Sequence, residues 1–115
     1  MRILSGEQVL VRIFIGESDT WHGRSLVTAL VERLRKEGFA GATVLRGVMG
    51  FGARSIVHTS SVLRLSEDLP VVIEVVDSDE RCQALVPILD EMVTQGLVTM
   101  ETVRVLKYAP GGGQK

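Results

Sequence analysis

Residues 8–16 read Gln-Val-Leu-Val-Arg-Ile-Phe-Ile-Gly, and residues 71–77 read Val-Val-Ile-Glu-Val-Val-Asp. In the first stretch Val9, Val11, Ile13 and Ile15 recur at every second position, the period of a strand with one buried face. The second is the most hydrophobic segment of the chain and also reads as a strand. Each is followed by an amphipathic helical pattern. After the first, Arg24–Glu37 places Val27, Leu30, Val31 and Leu34 on one helical face. Ser18, Asp19 and Thr20 are its candidate caps, and Gly38 is placed to end it in a left-handed conformation. After the second, Asp77 followed by Glu80 suggests a capping box. The helix behind it carries Cys82, Leu85, Val86, Leu89 and Val93 on one face, with Pro87 as an expected kink and Gly96 as its end.

Working outward, Ala42–Met49 is predicted as a strand after the first helix, and Val98–Tyr108 contains one after the second. Met1–Glu7 reads as a lead-in, residues 1–109 as one domain, and residues 110–115, from Pro110 through the glycine run, as a flexible tail. The order is strand, helix, strand, strand, helix, strand. Both helices end in glycine followed by an apolar residue, Phe39 or Leu97, and then a strand. That duplication is the α+β, ferredoxin-like βαββαβ sandwich: a four-stranded antiparallel sheet with two helices on one face.

Composition narrows the function classes. The 115 residues suit one domain. Thirteen Lys and Arg against 14 Asp and Glu give a net charge of −1, so no global field draws nucleic acid. Five aromatic residues give little for bases to stack on. The single cysteine, Cys82, cannot form an internal disulfide and falls on an apolar helical stripe, so it reads as packing. No segment reads as a signal peptide or a membrane span, and the expected location is cytoplasmic.

Two helices leave one sheet face uncovered, and that face is expected to be apolar rather than polar. Its predicted members are Leu10, Arg12 and Phe14; Val44, Arg46 and Val48; Val72, Glu74 and Val76; and Thr102, Arg104 and Leu106. An apolar face of this extent points to self-association. Its four charges would sum to +2. They either pair across subunits or leave surplus arginine for an anionic ligand.

The run Arg46-Gly47-Val48-Met49-Gly50-Phe51-Gly52-Ala53-Arg54 is the second informative feature. Its glycines suit either a structural turn or a concavity of backbone N–H groups that holds phosphate, with Arg46, Arg54 and His58 nearby. It lacks the strand-loop-helix context of a nucleotide fingerprint. The connection 50–70 is too long for a routine hairpin loop, and ordered loops of that length are usually functional.

At these residues the chain resembles the PII signal-transduction superfamily, and in particular an uncharacterised PII-like family. The phrases that carry the likeness are Ala40-Gly41-Ala42-Thr43-Val44-Leu45-Arg46-Gly47, Gly50-Phe51-Gly52, and Leu65-Ser66-Glu67-Asp68-Leu69-Pro70 running into Val71–Val76. The resemblance implies a homotrimer with ligand sites in clefts between subunits. It implies an adenine nucleotide as effector, and a loop acting on a membrane transporter or channel. Gly50, Phe51 and Gly52 would lie beside the phosphates, and Glu74 matches a strand glutamate near the site. The candidate ligand residues are thus Arg46, Gly47, Gly50, Phe51, Gly52, Arg54, His58, Glu74 and Arg104. The second phosphate loop of PII proteins would fall at Gly96–Glu101, which lacks the glycines and the lysine, and the only tyrosine is Tyr108. Another nucleotide, another small anion, or no ligand stay open. Two other readings stand beside this one. A small ferredoxin-like enzyme would use Trp21, His22 and His58, although neither histidine sits in a recognisable catalytic arrangement. A trimeric metal-tolerance protein would need ligands shared between chains.

Overall fold

The computed structural model describes residues 4–52 and 68–111. Eight elements follow in order: β1 (Gly6–Gly16), β2 (Thr20–Trp21), β3 (Arg24–Ser25), α1 (Leu26–Lys36), β4 (Thr43–Arg46), β5 (Pro70–Asp77), α2 (Asp79–Met92) and β6 (Leu97–Val105). The main sheet is antiparallel, ordered β4-β5-β1-β6. This is the expected α+β, ferredoxin-like arrangement. The expectations for residues 53–67, Arg54 and His58 among them, and for 112–115 lie outside the described residues.

The core follows from the two periodicities. Val9, Val11, Ile13 and Ile15 of β1 and Val71, Ile73 and Val75 of β5 are buried. Ile13 faces Ile73 directly across the ladder, and both are fully buried. Leu26, Ala29, Leu30 and Leu34 of α1, with Cys82, Leu85, Leu89 and Met92 of α2, close over them. Each such Leu or Ile contributes about 1.5–3 kcal/mol by leaving water.

The first helix starts later than its periodicity suggests. The Asp19 carbonyl accepts from Leu26 N (2.9 Å), and residues 20–25 form a hairpin that pairs Thr20 with Ser25 and Trp21 with Arg24. Its two turn residues, His22 (φ 51°) and Gly23 (φ 78°), both take the left-handed conformation that a two-residue hairpin needs. Ser25 is the actual cap, its hydroxyl accepting from Thr28 N. The helix ends as expected at Gly38 (φ 85°): Gly38 N donates to Arg35 O and Phe39 N to Leu34 O, the paired bonds of a Schellman motif.

The second helix is capped by Ser78, not Asp77, with Ser78 Oγ accepting from Arg81 N at 3.2 Å. Asp77 is fully buried instead and accepts from Ala40 N (2.9 Å) and Ser78 N (2.8 Å). The helix runs through Pro87 and stops at Met92, four residues before Gly96. Met92 takes the buried place expected of Val86, which is exposed. Gly96 instead lets β6 start close to β1: at φ 152° a side chain there would sit 2.6 Å from Phe14 O.

β4 is only four residues long, shorter than the predicted Ala42–Met49. Register also corrects the uncovered face. Leu10, Arg12, Phe14, Val72, Glu74 and Val76 do share it. In β4, however, Thr43 opposes Glu74 and Leu45 opposes Val72, so Val44 and Arg46 lie on the helix side. In β6, Leu97 opposes Phe14, Thr99 opposes Arg12 and Glu101 opposes Leu10. Thr102 and Arg104 therefore also lie on the helix side. Leu106 falls beyond the strand. The charges on the uncovered face are Arg12, Glu74 and Glu101, a surplus of one negative charge rather than two positive.

Candidate functional site

The loop base is built from three strand ends. β1 finishes at Gly16, β4 at Arg46, and β5 begins at Pro70. Pro70 is the hub. Gly47 donates its N–H to Pro70 O at 2.7 Å, and a side chain on Gly47 would sit 2.7 Å from Pro70 Cγ. One on Gly50 would sit 3.0 Å from the same atom. Two of the three candidate phosphate-loop glycines thus wrap the proline ring. This is the structural-turn reading, and it commits the Gly47 amide.

The turn after β1 ties down the other side. Arg46 Nη2 is paired with Glu17 Oε2. Glu17 N donates to Leu69 O (2.8 Å), and Gly16 N donates to Asp19 Oδ2 (3.0 Å). Ser18 gives both its N–H (3.0 Å) and its hydroxyl (2.8 Å) to Asp68 Oδ1. Asp68 is held at φ 34°, and Gly16 is bare where any side chain would strike its carboxylate at 2.5 Å. The residues on either side of 53–67 are therefore anchored to one four-residue turn. Sequence reading missed Glu17, took Ser18 only as a candidate helix cap, and met Asp68 only within a family-like phrase; nothing in the sequence pairs Ser18 with Asp68, fifty residues on.

Past Gly47 the chain presents Val48, Met49 and Phe51, exposed at 80, 58 and 74%. This is a concentrated apolar surface beside the loop.

On the uncovered sheet face, Arg12 is clamped on both sides. Its Nε donates to Glu74 Oε2 and its Nη1 to Glu101 Oε1, each at 3.0 Å. Glu74 lies directly opposite on β5 and Glu101 diagonally on β6, the two cross-strand neighbours that can reach. The Glu74 hydrogen bond, foremost, raises the guanidinium pKa further above its ordinary value. Around the triad stand Leu10, Phe14, Val72 and Val76, with Leu45 and Leu97 about half exposed at the edges. Thr43 faces Glu74 across the β4–β5 ladder.

The described candidate ligand residues do not all meet within one chain. Arg46 lies opposite Val71, three residues from Glu74 along β5 and on the other face of the sheet, and Val71 lies opposite Ile15. Arg104 lies opposite Glu7. From Ile15 to Glu7 is eight residues along β1, about 26 Å at strand rise, and β4 and β6 are opposite sheet edges. His22 stacks on Trp21 at 3.9 Å in the hairpin. Among the described residues no group of three or more His, Cys, Asp or Glu could hold a metal ion.

A four-stranded sheet in this order under two helices, with a glycine-collared loop base between β4 and β5, is the fold of PII-like proteins. The chain belongs to the DUF190 family, described as Uncharacterized ACR, COG1993, which matches residues 8–105. It is 32% identical over 108 residues to a UPF0166 protein of Aquifex aeolicus, covering 92% of this chain and 98% of that one. It is 33% identical over 99 residues to a UPF0166 protein of Methanocaldococcus jannaschii, covering 85% and 91%. Among solved structures, a PII-like protein of Thermus thermophilus superposes with TM-score 0.63 at 22% identity, over 88% of this chain and 91% of that chain. CPII of Thiomonas intermedia K12, bound to ADP, AMP and acetate, superposes with TM-score 0.65 at 14% identity, over 91% and 94%. At these identities the structural likeness speaks for the fold.

Proposed function

We propose that the chain is a PII-like regulatory protein, a non-enzymatic cytoplasmic homotrimer that binds an adenine nucleotide or related small anion in clefts between copies. Its loop 50–70 would then act on a membrane transporter or channel. The observation that carries the reading is the uncovered sheet face. It is apolar around a triad already neutralised but for one carboxylate, so a second copy can cover it without stranding a lone arginine. The related fold of CPII with ADP and AMP bound supports the ligand class. Val48, Met49 and Phe51 beside the loop offer a partner an apolar handle.

The separation of Arg46 from Arg104 gives the site its form. A pocket at the β4 edge holding Gly50, Phe51 and Gly52 takes Arg46 from the same chain and Arg104 from a neighbour, while Glu74, paired with Arg12 on the other face of the sheet, stays outside it. An anion at Arg46 competes with Glu17, so binding and loop-base geometry are linked. Arg54 and His58 remain candidates for the same pocket.

Sedimentation velocity and calorimetric titration with ATP, ADP, AMP and cyclic nucleotides test the proposal. Arg46→Ala and Arg104→Ala should each abolish binding, and an equimolar co-refolded mixture should recover a fraction of the sites. A strictly monomeric chain at high concentration refutes the assembly. Silence toward every nucleotide refutes the ligand class.

A further inference from the structure

A second concavity lies on the helix side of the fold, away from the sheet face. The turn after β1 and the connection from α2 to β6 enclose a cleft of about 270 Å³, lined by Ser18, Asp19, Thr20, Leu26, Thr94 and Gln95. Leu26, the buried first residue of α1, lies beneath it, and the exposed lining is almost wholly polar. The other five side chains are three hydroxyls, one carboxamide and one carboxylate. No lysine or arginine lines the cleft among the described residues.

We propose that this cleft is a binding site for a small hydroxyl-rich molecule without negative charge, of monosaccharide size. Four observations lead there. The volume, about 270 Å³, falls below the roughly 300–1,000 Å³ of drug-sized ligand pockets and suits a smaller molecule. Hydroxyls and a carboxamide both donate and accept, which matches a ligand whose hydroxyls do the same. Asp19 supplies the only charge in the lining, and a carboxylate repels phosphates and carboxylates while accepting from hydroxyl or ammonium donors. The lining is also prearranged. Asp19 Oδ2 is fixed by Gly16 N at 3.0 Å, and Asp19 O by Leu26 N at 2.9 Å.

The site reports to the loop. Ser18 lines the cleft and also holds Asp68, through its N–H and hydroxyl. A ligand hydroxyl that recruits Ser18 Oγ weakens the hold on the residue preceding Leu69 and Pro70. The anionic effector proposed above sits at Arg46, which does not line this cleft, so the two ligands do not compete for one pocket.

Glucose, glucosamine and glucuronate form a matched probe series, neutral, cationic and anionic on the same pyranose frame. Each is titrated into ¹⁵N-labelled protein while the amides of residues 18–20 and 94–95 are followed. Trp21, the only tryptophan and next to Thr20 in sequence, serves as a fluorescence reporter. Glucose and glucosamine should shift these amides with millimolar affinity. Glucuronate should bind at least about tenfold more weakly, a difference of about 1.4 kcal/mol. Gln95→Leu and Thr94→Val should weaken glucose binding at least about tenfold with the rest of the spectrum unchanged. The proposal is overturned if neither glucose nor glucosamine moves these amides, if glucuronate binds as well as glucose, or if both variants bind normally.

Discussion

Replacing Asp77 by alanine should cost more stability than any surface change in this protein. The carboxylate is fully buried where β5 ends, and it accepts from Ala40 N at 2.9 Å and Ser78 N at 2.8 Å. Arg81 Nε stands 3.8 Å away, while Arg81 Nη1 donates to Glu37 O at 2.6 Å and its guanidinium lies 5.9 Å from the Phe39 ring centre. One side chain thus ties the end of α1 to the start of α2. A hydrogen bond to a charged acceptor contributes about 1.5–3 kcal/mol, and two are lost. Relief of the carboxylate's own desolvation offsets part of this. The net expectation is a loss of about 2–4 kcal/mol, a large share of the roughly 5–15 kcal/mol that holds a domain together. In urea, with a slope of about 2 kcal/mol per molar, the midpoint should fall by about 1–2 M. Protein concentration must be held fixed, because association adds to apparent stability. Asp77→Asn keeps one acceptor and should lose about half as much. Hydrogen exchange at Ala40 gives the local readout and should accelerate at least about tenfold. A stability change under about 0.5 kcal/mol, with Ala40 exchange unaltered, would refute this account of how the helices are joined.

Burial, then the nearby Asp77 charge, pushes the Cys82 thiol up to about 11. The unfolded thiol ionises near 9, so the folded state holds its proton longer. Stability is therefore full below about pH 9 and declines as pH rises from about 9 through about 11, by up to about 2–3 kcal/mol; pH-dependent urea melts should show the slope, and Cys82→Ala should flatten it. The same burial predicts that a thiol reagent at about pH 8 labels native protein far more slowly than urea-unfolded protein, so equal rates would contradict it. Gly96→Ala should destabilise by about 1–3 kcal/mol, since the new methyl meets Phe14 O at 2.6 Å in a backbone conformation that favours glycine; a melt equal to wild type would show that the β6 entry relaxes freely.

The sandwich was legible wherever one periodicity prevailed. In β1 and β5 a single charge, Arg12 or Glu74, marks the outer phase of an otherwise apolar strand, and α1 reveals its core face and glycine stop. Reading failed where two phases were equally apolar. In β6, Leu97, Thr99, Glu101 and Val103 compete with Val98, Met100, Thr102 and Arg104, and neither set is polar enough to declare itself the outer one. Only pairing with β1 decides, and a one-residue slip exchanges Arg104 for Glu101 on the uncovered face. The same slip in β4 moved Arg46. The hairpin at residues 20–25 hid because two-residue strands carry no period, although His22-Gly23 was a usable turn signal. The glycine collar was legible as glycines. Its partner Pro70, some twenty residues on, was not.

β1 receives a neighbour on each side, β5 from about sixty residues downstream and β6 from as many as ninety-nine, where Gly6 meets Val105. During synthesis the first strand must therefore wait, its two flanks unsatisfied, until β5 and then residues 97–105 have left the ribosome. Shortening the polypeptide anywhere within residues 97–105 removes a wall of the sheet rather than a trailing segment. Such truncated chains should accumulate as aggregates, because the unpaired flank of β1 is a ready template for a stranger's strand.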